Sequence, residues 1–354
     1  MNKTFYLEHF ILKPYRLAMA RPFLINGEPL AYREGVLLEI ISRDGHSGYG
    51  EAAPLPGVSL ESVKKALHQL KCLEREWVGR SLPLNCRALC TRLVKDLDRS
   101  ILAPSVIFAL ESALISLAAR AHGQAPSEFL SGIAPENVNS ACLLQGDIQT
   151  IQADGARYQA AGYSVFKLKV GSKNIPLDIA KVEALRALLG FHDKLRLDAN
   201  AAWDLPAAIT FASAIGKGQV DFIEEPCRNW QDNEIFFRQT DMPWAIEINN
   251  ATPNLHDLEG AQGLAALIVK PMITGGISDF MALKKTAFRM GVKIIVSSAF
   301  ETATGLTMLA NLAAVMNSTS DQLHCGLGTA DWFGTPAAGI LQKGGIIPAA
   351  RLIP

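Results

Sequence analysis

The chain has 354 residues, 49% apolar and 19% charged, which is enough for a well-buried core of one domain with a smaller unit attached. Lysine plus arginine equals aspartate plus glutamate at 34 each, which excludes the net charge that attracts nucleic acid or anionic membranes. Six cysteines without a CxxC pair or zinc-ligand spacing favour reduced thiols in a cytoplasmic protein.

The N-terminal part of the chain has the pattern of a small α+β unit. Its strand-forming segments are Thr4–Leu12, Gly35–Arg43 and Gly48–Ala52, and its helical segments are Ser59–Leu73 and Cys86–Asp96. The last segment of the chain, Gly326–Pro354, is rich in glycine and proline and lacks a helical period. We therefore predict an α+β capping domain over residues 1–103, completed by residues 327–354, which fold back over it.

A long segment, Lys13–Glu34, separates the first two predicted strands. It contains prolines and has no periodicity of its own. Segments of this length without a regular pattern are often binding loops or lids. We predict a lid loop over the substrate, with Arg21 as a partner for a substrate carboxylate.

The most membrane-like segment is Ala103–Ala121, which carries Glu111 and Arg120. It falls short of the roughly 20 clean apolar residues that a membrane span requires, so we predict a buried helix. Near the N-terminus, Glu8 and His9 interrupt the apolar core that a signal peptide needs. These features favour a cytoplasmic protein.

From there on, strand patterns and helix patterns alternate. The predicted strands are Asn137–Leu143, Ser164–Val170, Lys194–Ala199, Val220–Glu225, Pro243–Ile248, Ala266–Pro271, Lys293–Ser298 and Gln322–Cys325. The predicted helices are Asp147–Ala161, Leu177–Leu189, Leu205–Gly216, Asp232–Thr240, His256–Gln262, Asp279–Met290 and Thr302–Met316. This alternation predicts parallel strands joined by helical crossovers, and no long helix is predicted after the eighth strand. We therefore predict an α/β fold, a (β/α)7β TIM-like barrel over residues 104–326.

Five successive strand patterns end in a charged residue. In order, these residues are Lys169, Asp198, Glu224, Glu247 and Lys270. If the strands are neighbours in a parallel barrel, their carboxyl ends gather at one mouth, where charged residues are typical of catalysis. The sequence therefore predicts an active site at that mouth.

The three acids would lie side by side and repel one another unless a cation sits between them. The absence of nearby His or Cys favours a hard ion with oxygen ligands, Mg²⁺ or Mn²⁺, held by Asp198, Glu224 and Glu247. The alternative is three isolated acids at helix N-termini, which the helix dipole stabilises. Each of the three acids stands at the end of its predicted strand, and this shared position favours the metal site.

The lysines also have a pattern. Lys167 and Lys169 are two residues apart on one strand and therefore point to the same side. Inside a barrel, a second ammonium and a metal favour the neutral amine of Lys169, which can then act as a base. The alternative is a solvent-facing pair on an edge strand, but Phe166, Leu168 and Val170 favour a strand buried on both sides. Lys270 would lie on the opposite side of the ring.

Several segments together resemble the muconate-cycloisomerase-like branch of the enolase superfamily, over nearly the whole chain. They are GYGEAAPLPG, FKLKVG, LRLDANAAW, FIEEPC, LIVKPMITGGI, VSSAFETATGL and HCGLGTA. The resemblance implies that Lys169 is the acid/base, with Lys167 and Lys270 beside it, and that Asp198, Glu224 and Glu247 hold Mg²⁺. One departure is that the family commonly has Asp-Glu at the fifth strand, whereas this chain has Glu247-Ile248-Asn249.

Further residues near these motifs complete the expected site. Arg196 and Glu225 are expected to hold its charges in place. Asn200, Ser297 and Ser298 are expected to bind substrate, although serines at strand ends are often only caps or turn formers. The expected partner is a small-molecule carboxylate rather than nucleic acid or a membrane, and the sequence does not decide between a monomer and a homo-oligomer.

Three functions remain open at this point. The first is a lyase that dehydrates a cyclohexadiene carboxylate bearing a succinyl group. The second is an isomerase, a racemase of N-succinylamino acids or a related epimerase, in which Lys270 reprotonates the opposite face. Dipeptide epimerases usually show Asp-x-Asp near the eighth strand, whereas this chain has only Asp331 there. The third, a non-catalytic binding barrel, is disfavoured by the complete set of lysines and acids.

Overall fold

The computed structural model of the protein describes residues 3–25, 27–132, 137–216, 218–249, 254–317, 324–334 and 344–348. Its N-terminal part is an antiparallel sheet of four strands in the order β3-β2-β1-β4. The strands are β1 (Thr4–Ile25), β2 (Glu28–Ser42), β3 (Ser47–Ala52) and β4 (Ser81–Pro83). Helices α1 (Val63–Trp77) and α2 (Cys86–Asp96) accompany them.

The prediction of a lid loop at Lys13–Glu34 is wrong. These residues belong to one long hairpin, in which β1 and β2 pair from Leu7 opposite Ser42 to Ile25 opposite Glu28. The prolines that suggested a loop are tolerated because β4 pairs only with the first residues of β1, so most of β1 has a neighbour on one side only. Gly27, with φ of 84°, supplies the tight turn at the hairpin tip.

Helix α3 (Pro104–Ala121) is the central helix of the core. By length and composition it could cross a membrane, but 83% of that window is buried inside the protein, as a core helix would be. Gly48 and Gly50 of β3 lie so close that an added Cβ would meet the carbonyl oxygens of Ala113 and Ala109 at 2.0 and 1.9 Å. The predicted buried helix is therefore confirmed, packed tightly on the N-terminal sheet.

The barrel follows α3 and the short α4 (Pro126–Ser131). Its strands are β5 (Asn137–Leu144), β6 (Val165–Lys169), β7 (Lys194–Asp198), β8 (Phe222–Glu224), β9 (Trp244–Ile248), β10 (Leu264–Val269), β11 (Lys293–Val296) and β12 (Cys325–Gly328). Successive strands from β5 to β11 are parallel neighbours, β12 returns to pair with β5, and a bridge between Ser297 and Gly326 closes the ring. This confirms the predicted fold class.

The helices of the barrel lie outside the strands. They are α5 (Ile148–Ala160), α6 (Ile175–Leu188), α7 (Leu205–Ile215), α8 (Asp232–Thr240), α9 (Pro271–Thr274), α10 (Ile277–Met290) and α11 (Ala303–Asn317). Between β9 and β10 the helix predicted at His256–Gln262 is only a 3₁₀ turn, Leu255–Leu258.

The end of the barrel differs from the prediction in register. The eighth strand was placed at Gln322–Cys325, but it runs over Cys325–Gly328, and residues 322–323 lie outside the described part of the chain. Beyond it, Phe333 bridges to Met19 and the Gly334 amide donates to the Ala18 carbonyl of β1. A further strand, β13 (Ile346–Pro348), pairs antiparallel with β5. The domain boundary near residue 103 stays a prediction.

Glu111 on α3 joins the helix to the barrel. One of its carboxylate oxygens accepts hydrogen bonds from the amides of Ile277 and Ser278 at the start of α10, at 2.6 and 2.8 Å. The other accepts from Arg99, whose guanidinium also contacts Asp279. Glu111 is fully buried, and its carboxylate links α3 to the start of α10 and to Arg99.

We therefore expect Glu111→Ala to lower the free energy of unfolding by about 3 kcal/mol, because buried hydrogen bonds to a charged group are lost and two amides are left unpaired. Chemical denaturation measures the change. Glu76→Ala, which removes an exposed ion pair with Arg80, is the control and should cost less than about 1 kcal/mol. Equal effects of the two substitutions would contradict this account of Glu111.

Candidate active site

A cavity of about 340 Å³ opens at the carboxyl ends of the barrel strands. The N-terminal sheet contributes an apolar wall made of the hairpin residues Phe23, Leu24 and Ile25 and of Leu55, Val58 and Leu60 after β3. The barrel contributes the charged wall, which includes Lys167, Lys169, Asp198, Asn200, Glu225, Glu247, Lys270, Ser297 and Ser298. Most of the residues predicted from the sequence therefore meet in one place.

Three of the charged residues are register partners on adjacent strands. Lys169 on β6 pairs with Asp198 on β7, which pairs with Glu224 on β8. The Lys169 Nζ atom lies 2.7 Å from Asp198 Oδ2 and 2.6 Å from Asn200 Oδ1. Lys167 Nζ lies 2.7 Å from both Asp198 Oδ2 and Glu224 Oε2. The two lysines thus share the Asp198 carboxylate, as expected for side chains two residues apart on one buried strand.

The electrostatics of this group are set by burial and by the opposed charges. Burial alone lowers the pKa of Lys167, but the charges of Asp198 and Glu224 outweigh it and raise that pKa well above its usual value. Burial raises the pKa of Asp198, and the two lysines outweigh that effect and hold it well below its usual range. The charged forms of Lys167 and Asp198 are therefore both favoured.

Glu247 and Lys270 form a second pair on the other side of the cavity. Glu224 pairs in register with Ala245 on β9, so Glu247 lies two residues nearer the carboxyl end of its strand. Its Oε2 atom is 2.5 Å from Lys270 Nζ. Burial lowers the pKa of Lys270, but Glu247 outweighs burial and the pKa is raised. Lys270 is therefore held as a cation across the cavity from Lys169.

The acids fit a divalent cation by their chemistry. Glu224 Oε1 is buried and has no hydrogen-bond partner among the described residues. Burial and the neighbouring Asp198 charge raise the pKa of Glu224 and outweigh the opposite effect of Lys167, Lys270 and Lys169. Within the described residues no three Asp, Glu, His or Cys side chains already meet in metal-ligand geometry, because the lysines contact the carboxylates. Each of these contacts uses one oxygen of its carboxylate, Asp198 Oδ2, Glu224 Oε2 or Glu247 Oε2, so the acids would hold the ion while the lysine contacts remain.

Glu225 and Asn200 take left-handed backbone conformations, with φ of 47° at each. Such conformations cost free energy and cluster at functional sites. Glu225 was expected only to support the acids, but its side chain lines the cavity itself. Burial, together with the charges of Glu247, Glu224 and Asp198, raises its pKa to about 8. The shift favours the protonated form of this carboxyl group in the site without a bound ion.

Arg196 lies deeper in the barrel than the acids. Its guanidinium donates to the His324 carbonyl at 2.7 Å and lies 3.6 Å from Asp221. The structure therefore places it below the cavity, in contact with the eighth strand rather than with Asp198. Burial, with the positive charges of Arg196 and Lys194, lowers the pKa of His324 to about 4.

The partly buried His324 predicts a pH dependence of stability. Because its pKa is lower in the folded than in the unfolded chain, the unfolded chain takes up the proton first as the pH falls. The contribution is complete above pH 6.5 and is lost as the pH falls from 6.5 towards about 4. Over that range, thermal denaturation should show a smaller drop in Tm for His324→Gln than for the unsubstituted protein. Parallel curves would contradict the assignment.

The two serines differ in their surroundings. Ser298 Oγ donates to Glu301 at 2.6 Å and lies 2.9 Å from the Thr329 hydroxyl, so it is engaged within the protein. Among the described residues, Ser297 Oγ has one hydrogen bond, a long one of 3.4 Å to the Gly326 carbonyl. Both line the cavity, and Ser297 is the better placed to turn towards a ligand.

Arg21 does not line the cavity. Its guanidinium pairs with Asp154 on α5 and lies over the Trp332 ring, 4.3 Å from the centroid. The expectation that it binds a substrate carboxylate is therefore wrong: Asp154 already neutralises it. A nearby pair of hydrogen bonds joins the Leu24 backbone to the Gln145 side chain, so both contacts fasten the hairpin to the barrel.

Several cavity residues were not found from the sequence. They are the apolar residues of the N-terminal wall, together with Phe300 and Thr329. The prolines of Lys13–Glu34 suggested a loop rather than the hairpin, and no local pattern marks Phe300 as a cavity residue. Their place depends on how two distant parts of the chain pack.

Two family models match this chain, one over most of the barrel strands and one over the N-terminal sheet and its helices. Residues 151–336 match the model described as "Enolase C-terminal domain-like", and residues 8–117 match "MenC, N-terminal domain". An o-succinylbenzoate synthase of Haemophilus influenzae is 32% identical over 312 residues, covering 86% of this chain and 85% of that protein. One from Aliivibrio fischeri (strain MJ11) is 28% identical over 304 residues, covering 85% of this chain and 84% of that protein.

Solved structures share the fold. The L-Ala-D/L-Glu epimerase from Bacillus subtilis superposes with a TM-score of 0.82 at 22% identity, over 97% of this chain and 96% of that one. The N-succinyl Arg/Lys racemase from Bacillus cereus has a TM-score of 0.81 at 21% identity, over 92% of this chain and 88% of that one. At these identities the likeness concerns the fold and not the reaction.

Proposed function

The chain belongs to the enolase C-terminal domain-like family, and on that premise we propose that it is an o-succinylbenzoate synthase of menaquinone biosynthesis. The reaction is the dehydration of 2-succinyl-6-hydroxy-2,4-cyclohexadiene-1-carboxylate to 2-succinylbenzoate. The observation that carries the proposal is the placement of Lys169 and Lys270 at one cavity, the first paired with Asp198 and the second with Glu247. That arrangement suits proton removal beside a carboxylate.

We assign the proton transfers to Lys169. It removes the proton beside the substrate carboxylate and returns a proton to the departing hydroxide, so that water leaves and the ring becomes aromatic. A positioned base of this kind contributes about 10²–10⁴-fold to the rate. Lys167, whose pKa is raised by Asp198 and Glu224 against the effect of burial, remains charged beside it and does not compete for the proton.

Asp198, Glu224 and Glu247 are proposed to hold Mg²⁺, or Mn²⁺ in its place. The bound ion supplies Lewis-acid stabilisation of negative charge on the substrate's carboxylate oxygens, worth several kcal/mol. Lys270 adds a second positive charge from the opposite wall. Because Glu247 raises the pKa of Lys270 against the effect of burial, this lysine suits a cation that stabilises the anionic intermediate better than a second base.

The second candidate is an N-succinylamino acid racemase. The observation that favours it is that Lys270 faces the cavity from the wall opposite Lys169, where a second base would reprotonate the other face. A dipeptide epimerase is less well supported: the single acid after the eighth strand, Asp331, lies 3.6 Å from Arg157 and does not line the cavity.

The partner we propose is a small carboxylate, and the compartment the cytoplasm. The apolar helix α3 is buried in the core, and positive and negative residues balance across the chain. These observations support a soluble enzyme that meets its substrate in solution.

The test is to incubate the purified protein with Mg²⁺ and the succinyl-cyclohexadiene substrate while recording the ultraviolet spectrum. We expect the band of the aromatic product to rise with protein concentration. Lys169→Ala, prepared in the same way, is the control and should leave the spectrum unchanged. No aromatic band with folded, metal-loaded protein would rule out the synthase.

A further inference from the structure

Arg33 of β2 is a fully buried cation whose hydrogen bonds all go to backbone carbonyls. Its Nη1 atom donates to Pro54 at 2.7 Å and to Glu34 at 3.2 Å, and its Nη2 atom donates to Ala53. Nη2 also donates to Ala299 at 3.0 Å. The Nε atom is shared between the carbonyls of Ala299 and Phe300, at 3.2 and 3.1 Å. All three nitrogens of the guanidinium are therefore used.

These acceptors belong to two separate walls of the cavity. Ala53 and Pro54 directly precede Leu55 on the wall of the N-terminal sheet, and Phe300 lines the cavity in the segment after β11. A guanidinium presents its donors in a rigid planar fork, so it can hold two segments at a set spacing and angle. Arg33 therefore fixes one cavity wall relative to the other.

The conformation of Phe300 needs such a restraint. Its φ is 61°, in the left-handed region, which a bulky side chain rarely adopts because of steric strain. Its ring lies 4.7 Å from the Phe23 ring of the hairpin, and Phe23 in turn lies 4.9 Å from Trp332. Holding the Phe300 backbone therefore also places Phe23, a second cavity residue.

The opposite side of the same segment is held by two carboxylates. Glu301 accepts hydrogen bonds from Ser298 and from the Ala299 amide. Glu51 of β3 accepts from the amides of Thr302 and Gly305. The carbonyls of this segment thus bond to Arg33 and its amides to the two acids, which leaves it little freedom to move.

We propose that Arg33 is a positioning residue for substrate binding: its guanidinium fork sets the spacing of the two cavity walls and holds Phe300 in its strained conformation. Arg33 does not line the cavity and acts through Phe300 and the segment before Leu55. The proposal rests on the proposed synthase function, whose substrate these walls enclose.

The experiment compares Arg33→Met and Arg33→Lys with the matched pair Arg99→Met and Arg99→Lys. Arg99 likewise joins the N-terminal part to the barrel through Glu111 and Asp279, but it does not line the cavity or hold its walls. We expect KM for the succinyl-cyclohexadiene substrate to rise about tenfold in both Arg33 variants with kcat changed less than about threefold, because binding common to ground and transition states is lost. The Arg99 variants should keep both constants.

Hydrogen exchange followed by mass spectrometry gives a second readout that needs no substrate. Peptides spanning residues 53–60 and 297–302 should exchange faster in the Arg33 variants and unchanged in the Arg99 variants. If the wild type proves inactive as a synthase, the proposed function fails and this measurement still decides the positioning role.

Three results would overturn the proposal. The first is that Arg33→Lys retains wild-type KM and exchange, since a lysine keeps the charge but not the fork. The second is that the Arg99 variants raise KM as much as the Arg33 variants. The third is that neither Arg33 variant folds, which would make the residue a requirement of folding rather than of positioning.

Discussion

Lys169→Ala should abolish dehydration, lowering kcat by at least about 10²–10⁴-fold, the contribution of a positioned general base. The reason is structural: Lys169 Nζ lines the cavity between Asp198 and Asn200, whereas the pKa values of Lys167 and Lys270 are raised by neighbouring acids against the effect of burial. We therefore assign Lys167 and Lys270 to charge stabilisation and Lys169 to proton transfer. Steady-state kinetics with the metal-loaded variant measure the loss.

Lys270→Arg provides the contrast. It keeps the positive charge next to Glu247 but cannot take part in proton transfer, because the guanidinium stays protonated. In a one-base dehydration some activity should survive in this variant and none in Lys169→Ala. Complete loss in both, with exchange of the α-proton in deuterated water surviving in each, would instead indicate two bases and a racemase.

Removing the metal should have an effect of similar size. Chelator-treated protein should be inactive and recover with Mg²⁺, because several kcal/mol of charge stabilisation are lost, at about 1.4 kcal/mol for each factor of ten in rate. Asp198→Asn should be the most damaging single change among the three acids. Asp198 is the shortest of them, and it also neutralises both Lys167 and Lys169.

Glu247→Gln tests the position where the sequence departs from the family's Asp-Glu pattern. If Glu247 holds the ion, the Mg²⁺ concentration for half-maximal activity should rise in this variant, and a metal titration of the rate measures it. A titration superimposable on that of the wild type would remove Glu247 from the ligand set. Full turnover of chelated wild-type protein would remove the ion altogether.

The barrel and its charged mouth could be predicted from sequence because parallel strands buried on both faces read as short apolar runs. Each run from Lys169 to Lys270 ends in a charged residue, and the register of β6, β7 and β8 places Lys169, Asp198 and Glu224 side by side. For these residues the position in the sequence pattern agrees with the position in the folded barrel. Together, these motifs along the chain indicated the family.

The N-terminal wall could not be predicted in the same way. The prolines in Lys13–Glu34 suggested a loop, although the pair Asn26-Gly27 within this segment is a strong hairpin signal. The misplacement of Arg21 followed from that error, since on a paired strand it faces Asp154. A hairpin rather than a loop means that this wall is largely preformed.

Other features have no local signal at all. Arg33 looks like an ordinary charged residue near a turn, and only the packing of β2 against the segment after β11 buries it among five carbonyls. The short β13 pairs with β5 across most of the barrel sequence, a contact that no period reveals. Glu225 faces the cavity because of a left-handed backbone, which sequence patterns do not report.

The most direct test of the central claim is to measure kcat/KM for dehydration and for racemisation on one metal-loaded preparation. The substrates are the succinyl-cyclohexadiene carboxylate, followed by the aromatic ultraviolet band, and an N-succinylamino acid, followed by polarimetry. We expect dehydration to be the faster by a wide margin, with Lys169→Ala inactive in both assays. Efficient racemisation without any aromatic product would contradict the synthase and establish the racemase in its place.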